Sequence, residues 1–174
     1  TPQQLNKLLL NRKLRTYIKS CAGYCVMTYI LGIGDRHLEN ILINDEGQLF
    51  HIDFGFIFGQ DPKPLPPALK LTREMVEGMG GDNNYLLFLQ YCCIAFNLLR
   101  RHSIYLLDLL TAMITANLPG FQTNTHLSFV REKLMIGISD EIASLQLQTI
   151  IDASLKAIIA AWSDRFHRFW GQFG

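Results

Sequence analysis

The residues of this chain best equipped for chemistry lie in two short clusters, GDRHLEN at 34–40 and HIDFG at 51–55. The first supplies Asp35, Arg36, His37 and Asn40, and the second supplies Asp53. An Asp and an Asn with no thiolate beside them make a hard oxygen site. Such a site suits Mg²⁺, which keeps several waters and takes other ligands from phosphates. The chemistry indicated is that of a metal-bound phosphate ester, provided that the fold brings the clusters together.

The segment between them is built to do so. Ile41–Ile43 and Leu49–Ile52 read as short strands, and Asn44, Asp45 and Gly47 supply a tight turn between them, so a β-hairpin is expected. Before it, residues 13–31 read as a helix with Leu14, Tyr17, Ile18, Cys21 and Cys25 on an increasingly buried face. Gly32 and Gly34 end it. After it, Pro62, Pro64, Pro66 and Pro67 exclude helix and central strand, leaving 56–71 as an irregular loop. Helices are expected near 72–78, 84–101, 103–116, 125–135 and 140–172, the last with a kink near Trp162. Pro119-Gly120 separates the third and fourth of these, and Ser139 before Asp140 and Glu141 suits an N-cap. The expected fold class is mostly α (α+β), with helices backing a small hairpin that carries polar clusters at its ends.

Asp35 and Asn40 stand five residues apart, the spacing of a kinase catalytic loop, and Asp53-Phe54-Gly55 is a literal DFG. A DFG alone is weak evidence; one hairpin beyond a D-x-x-x-x-N loop it is strong. The bland alternative is an ordinary turn followed by a strand end. Protein kinases read H-R-D, whereas this chain reads D-R-H. That order, with HIDFG, resembles the phosphoinositide 3- and 4-kinase superfamily and its related giant protein kinases. FIFGQDPKPLPPALKLTREMVEGMGG is most similar to the activation loop of the class III phosphatidylinositol 3-kinases, and SCAGYCVMTYILGIGDRHLENILI extends the resemblance upstream. It covers residues 16–101 most specifically, the later helices less so, and 1–13 not at all.

This resemblance implies a protein-kinase-like C-terminal lobe over 1–174, with a catalytic loop at 32–40, the DFG motif and activation loop at 53–78, and a C-terminal helical segment at 140–174. It implies transfer of the ATP γ-phosphate to the 3-hydroxyl of phosphatidylinositol, with Mg²⁺, or Mn²⁺ in its place, held by Asn40 and Asp53. His37 is the expected general base, since an imidazole titrating near neutrality suits proton removal. Asp35 either orients it or is the base itself. Arg36 has two readings, a phosphate contact or a structural ion pair within the loop. Leu42 and Ile52 match positions that floor the adenine pocket, although core packing explains them equally well. His51 reads as a strand histidine with a satisfied hydrogen bond.

Relatives that phosphorylate doubly phosphorylated lipids carry clustered lysines and arginines in the activation loop. Between Phe56 and Leu71 this chain has only Lys63 and Lys70, opposed by Asp61. That favours plain phosphatidylinositol, with Lys63 as contact to its phosphate or simply a solvated lysine. Near the C-terminus Trp162, Phe166, Phe169 and Trp170 form an apolar face beside Arg165, His167 and Arg168. Such a face suits membrane contact or packing on a partner, and the resemblance favours the membrane.

Composition fits this reading. Charged residues make up 18% of 174, below the usual quarter or so, as expected if a surface is covered by another lobe. The net charge of +1 gives no argument for nucleic acid. Cys21, Cys25, Cys92 and Cys93 form no zinc or disulfide framework and read as reduced core thiols. Residues 1–10 lack the form of a signal peptide and the run 22–33 is too short to span a membrane. A soluble or peripheral protein is therefore expected, and the resemblance implies a cytoplasmic one, peripheral on endosomal and autophagic membranes. No Gly-rich strand-turn-strand or phosphate-binding lysine precedes the catalytic loop, so the chain is expected to need its own N-lobe. The resemblance adds a pseudokinase-like regulatory subunit and a Beclin-type subunit as partners. A 4-kinase, a related serine/threonine kinase and a non-catalytic scaffold are the competing readings.

Overall fold

The computed structural model describes residues 2–62, 67–116 and 124–170, the side chains of 124 and 158–170 excepted. Its elements are α1 (Pro2–Leu31), β1 (Ile41–Ile43), β2 (Leu49–His51), α2 (Arg73–Gly78), α3 (Asp82–Arg101), α4 (Ser103–Thr115), α5 (Asn124–Lys133) and α6 (Asp140–Trp170). The mostly helical class with one two-stranded antiparallel sheet is as expected.

The C-terminal half of α1 is the spine of the lobe. Apart from Thr28, its buried residues come in pairs every four positions, 17/18, 21/22, 25/26 and 29/30, the stripe that a 3.6-residue period presents to one side. α3 meets this stripe with Phe88, Cys92 and Phe96, all fully buried. α6 covers α3 through Ala143, Leu147 and Ile151. The helix begins eleven residues earlier than the sequence pattern indicated, at Pro2 rather than 13. Nearly all of 2–13 is exposed, so no burial stripe marked it, and proline is tolerated in a first helical turn.

Cys21, Cys25 and Cys92 are buried free thiols and Cys93 is partly buried. Burial pushes the Cys21 thiol up to about 11 and raises Cys25 and Cys92 as well, which makes them inert core side chains. The expected cap is present: the Ile142 amide donates to Ser139 Oγ at 3.3 Å. A buried arginine locks the same corner. Arg100 donates to the carbonyls of Leu134 (3.0 Å) and Ile138 (2.6 Å) and pairs with Asp140.

The hairpin is docked on the spine by one polar contact, the Leu49 amide donating to Ser20 Oγ at 2.9 Å. Its turn is built by Asn44, whose Oδ1 accepts the amides of Glu46 and Gln48. Gly47 has φ +82° and lies against the Lys13 carbonyl, where a Cβ would stand at 2.6 Å. The register pairs Ile41 with His51, Leu42 with Phe50 and Ile43 with Leu49. Leu49 and His51 therefore face α1 and are buried, while Leu42 and Ile52 face outward, 41% and 40% exposed.

Candidate active site

α1 stops at Leu31 because Gly32 takes a left-handed conformation, φ +56°. The chain then runs beside the segment after the DFG motif. Phe58 N donates to Leu31 O (2.8 Å), Gly59 N to Gly32 O (2.9 Å) and Gly34 N to Phe56 O (2.9 Å). The two backbones lie so close that a Cβ on Gly32 would stand 2.3 Å from Gly59 N, and one on Gly34 2.2 Å from Gln60 O. Glycine at 32 and 34 is thus required by close approach as well as by helix termination. From the far side α5 clamps this crossing. The Phe129 ring fills the space over Gly32 and Gly59, and His126 stacks on Phe58 with centroids 4.5 Å apart. No sequence pattern signalled that clamp, since contact between α5 and the loops is made only by tertiary packing.

Beyond the crossing, residues 34–40 of the expected catalytic loop are organised by two side chains. Arg36, 8% exposed, sends Nε to Gly34 O (2.8 Å), Nη1 to Ile52 O (2.7 Å) and Nη2 to Asp53 O. Its guanidinium also lies over the Phe54 ring, 5.6 Å from the centroid. Burial lowers its pKa, against the pull of Asp53, Asp35 and Asp61. Of the phosphate contact and the structural ion pair expected of this residue, neither is the bond seen here: the donors go to backbone carbonyls, with the acids Asp35, Asp53 and Asp61 near enough to act on its charge, and the residue ties the loop to the segment entering the DFG motif. Sequence could not show this, because a carbonyl acceptor is carried by every residue type.

Asn40, 7% exposed, is the second organiser. Its Nδ2 lies 2.9 Å from Asp35 O and 3.0 Å from His37 Nε2, which leaves Oδ1 as the acceptor on this amide. Its backbone carbonyl accepts Ile52 N at 3.1 Å, placing the loop beside the strand leading to Asp53. Accepting from Asn40 requires an unprotonated Nε2 on His37, hence the Nδ1–H tautomer. The same Nε2 stands 3.9 Å from Asp35 Oδ2. Asp35 and Asp53 both have positive φ, +50° and +58°, a conformation that costs a non-glycine residue about 1–2 kcal/mol. Two strained acids on adjacent segments mark the site as one whose geometry is held by its surroundings.

Asn40 Oδ1 and the Asp53 carboxylate are hard oxygen donors of the kind that fit a divalent cation taking its remaining ligands from phosphates and water. One Asp53 oxygen also accepts the Gly55 amide at 3.2 Å. Among the described residues no group of three or more His, Cys, Asp and Glu side chains forms a complete metal cage, so a two-oxygen protein contribution is what the donor set offers.

The structure amends other expectations. Leu42 and Ile52 are exposed, so packing in the core of this lobe does not explain them. Leu38, Phe54 and Phe56, close to them in sequence, are exposed as well, 56%, 47% and 38%. His51 is 4% exposed with neither ring nitrogen hydrogen-bonded, against the expected satisfied bond. It lies 4.8 Å from the Tyr24 ring, and burial, then the charge of Arg36, pushes its pKa down to about 4. Lys70 is not a free loop cation, since its Nζ meets Asp61 Oδ2 at 2.7 Å with both side chains largely buried. Lys63 lies outside the described residues, as do the side chains of Trp162, Phe166, Phe169 and Trp170, although the backbone there is helical to Trp170.

Residues 4–123 match the family described as Phosphatidylinositol 3- and 4-kinase, a span that holds the whole site. The chain belongs to this family. The match also includes most of residues 1–13, which the sequence reading left unassigned. Among similar proteins, this chain is 46% identical over 164 residues to "Phosphatidylinositol 3-kinase, root isoform" of Glycine max, covering 92% of the chain and 20% of the relative. Identity to "Phosphatidylinositol 3-kinase VPS34" is 45% for the Arabidopsis thaliana protein, with the same coverage, and 43% for that of Saccharomyces cerevisiae, covering 90% and 19%. The chain spans about a fifth of the length of these relatives. α5 and α6 follow the family match, so the clamp over the catalytic loop comes from outside it.

Proposed function

We propose that this chain is the C-terminal lobe of a lipid kinase that transfers the γ-phosphate of ATP to the 3-hydroxyl of phosphatidylinositol, giving phosphatidylinositol 3-phosphate. The observation that carries the reading is the convergence of His37, Asp35 and Asn40 with the DFG acid Asp53 through the shared anchor Arg36. The names of the relatives, phosphatidylinositol 3-kinases, favour the 3-hydroxyl.

Asn40 and Asp53 would hold Mg²⁺, or Mn²⁺ in its place, which when bound neutralises charge on the ATP phosphates. The other roles belong to the chain itself. His37 Nε2 takes the proton of the attacking hydroxyl. Once protonated it cannot accept from Asn40 and turns toward the Asp35 carboxylate, 3.9 Å away, which stabilises the imidazolium. Asp35 thereby orients the base. Arg36 keeps loop and DFG strand in register, and Leu42 and Ile52 present an apolar floor to adenine. With Lys70 bound to Asp61, Lys63 is the remaining cation between Phe56 and Leu71, which suits a head group with a single phosphate. The aromatic face of Trp162, Phe166, Phe169 and Trp170 provides membrane contact. Peripheral attachment to endosomal and autophagic membranes, with a pseudokinase-like and a Beclin-type subunit, belongs to the same reading. No helix among the described residues is long and apolar enough to cross a membrane.

The test exchanges this chain for the segment it matches in the full-length Saccharomyces cerevisiae relative. The product is assayed on phosphatidylinositol vesicles with ATP and Mg²⁺. Formation of the 3-phosphate is expected, with Asp53→Ala and His37→Ala each lowering turnover by about a thousandfold. Transfer only to phosphorylated lipids or to peptides would overturn the substrate, and a folded, ATP-binding chimera without transfer would overturn the activity.

A further inference from the structure

We infer that Asp61 is a positioning residue for the catalytic loop and that Lys70 serves it rather than the lipid head group. The inference rests on the kinase reading for its functional consequence, but its structural core is independent of it. Asp61 Oδ2 accepts two hydrogen bonds, one from the backbone amide of Asp35 at 3.2 Å and one from Lys70 Nζ at 2.7 Å. The side chains of Asp61 and Lys70 are 5% and 12% exposed. Burying such a pair costs about as much as it returns, so it is a poor device for stability alone. Its acceptor atom is instead spent where the chain needs holding. Asp35 sits at φ +50°, and its amide, which a helix or strand would have satisfied, is bonded to a buried carboxylate. A charged acceptor makes a stronger bond than a neutral one and offsets the strain of that conformation. The carbonyl of the same residue accepts from Asn40. Asp35 is thus held from both ends, by a proposed metal ligand on one side and by the activation segment on the other.

This arrangement makes the activation segment a support of the catalytic loop as well as a surface for substrate. Lys70 holds the Asp61 carboxylate in place through their 2.7 Å contact, and is thereby withdrawn from the cations available to a phosphorylated head group. The Asp61→Ala substitution removes both bonds, Asp61→Asn keeps an oxygen for the Asp35 amide, and Lys70→Met removes only the counter-charge.

Two measurements test this. In the 174-residue chain, hydrogen exchange at the Asp35 amide is expected to accelerate about tenfold or more in Asp61→Ala and much less in Asp61→Asn, following the size of one charge-assisted bond. Unchanged exchange at Asp35 in Asp61→Ala overturns the inference. Should Asp61→Ala not fold, Lys70→Met decides, with faster Asp35 exchange expected and unchanged exchange contrary. In the yeast chimera, Asp61→Ala is expected to lower kcat about ten- to a hundredfold with KM for ATP unchanged, and Asp61→Asn to recover most of it. Lys70→Met is expected to lower kcat while leaving KM for phosphatidylinositol vesicles unaltered. A raised KM for the vesicles at constant kcat would make Lys70 a head-group contact and overturn its assignment. An inactive wild-type chimera would count against the kinase reading alone, because the exchange arm still decides the positioning.

Discussion

The helical body and the crossing of the two loops are held together in opposite ways. Between α1 and α3 the contacts are apolar and periodic, made by side chains such as Ile18, Cys25, Phe88 and Phe96. At the crossing they are polar and aperiodic, made largely by backbone atoms of Leu31, Gly32, Gly34, Phe56 and Phe58 and by the donors of Arg36. An apolar core tolerates substitution so long as volume is conserved. A backbone crossing tolerates almost none, because there is no side chain to adjust. The lobe thus combines a forgiving scaffold with an exacting site.

Substitutions at the crossing test this contrast hardest. Gly34→Val would drive a side chain into the Gln60 carbonyl. It is expected to abolish kinase turnover and to lower stability by about 2–4 kcal/mol, read by denaturant unfolding and product formation on one preparation. A fully active variant would show that the crossing is more pliable than described. Next in size is Arg100→Leu, which leaves the carbonyls of Leu134 and Ile138 without their buried donor. A loss of about 2–4 kcal/mol is expected with kcat per folded molecule unaltered, since Arg100 supports the body and not the site.

His51 gives the two regions a different dependence on acid. Its folded pKa of about 4 lies below the unfolded value near 6.5, so the unfolded chain binds the extra proton between those values. Stability is therefore lost as pH falls from about 6.5 toward about 4, by at most about 3 kcal/mol. His51→Phe should flatten that part of the pH–stability curve; an unchanged slope would mean that another group is responsible. The smallest effect on folding is expected at the outward face of the hairpin. Leu42→Ser with Ile52→Ser should shift stability by less than about 0.5 kcal/mol while raising KM for ATP in the chimera. A large loss of stability would place these residues in the core after all.

The parts of the site legible in the sequence are those whose chemistry is carried by residue type at short range. Asp35, His37, Asn40 and Asp53 were picked out because acid, imidazole and amide recur at kinase spacing, and the hairpin that joins them carries its own turn signal at Asn44 and Gly47. The body was legible from Tyr17 onward because burial prints a stripe on the helix. The exposed turns of α1 before Leu14 print none. The partners of Arg36 and the second partner of Asp61, the Asp35 amide, escaped the sequence because they are backbone groups, for which it has no letter, whereas the opposition of Asp61 to the loop lysines was legible. His51 was misread because a strand position does not reveal whether a ring nitrogen finds an acceptor. Leu42 and Ile52 showed apolar character without showing which face of the hairpin would be covered.

The backbone bonds that register residues 31–34 against 56–59 bear on how such a chain varies by insertion and deletion. One residue gained or lost between Asp53 and Gly59 would slip every pair at the crossing. Beyond it, the Asp61–Lys70 pair closes a loop at its base, and the cost of loop closure changes slowly with length. Length differences in this part of the chain are therefore expected between Asp61 and Lys70 rather than between Asp53 and Gly59.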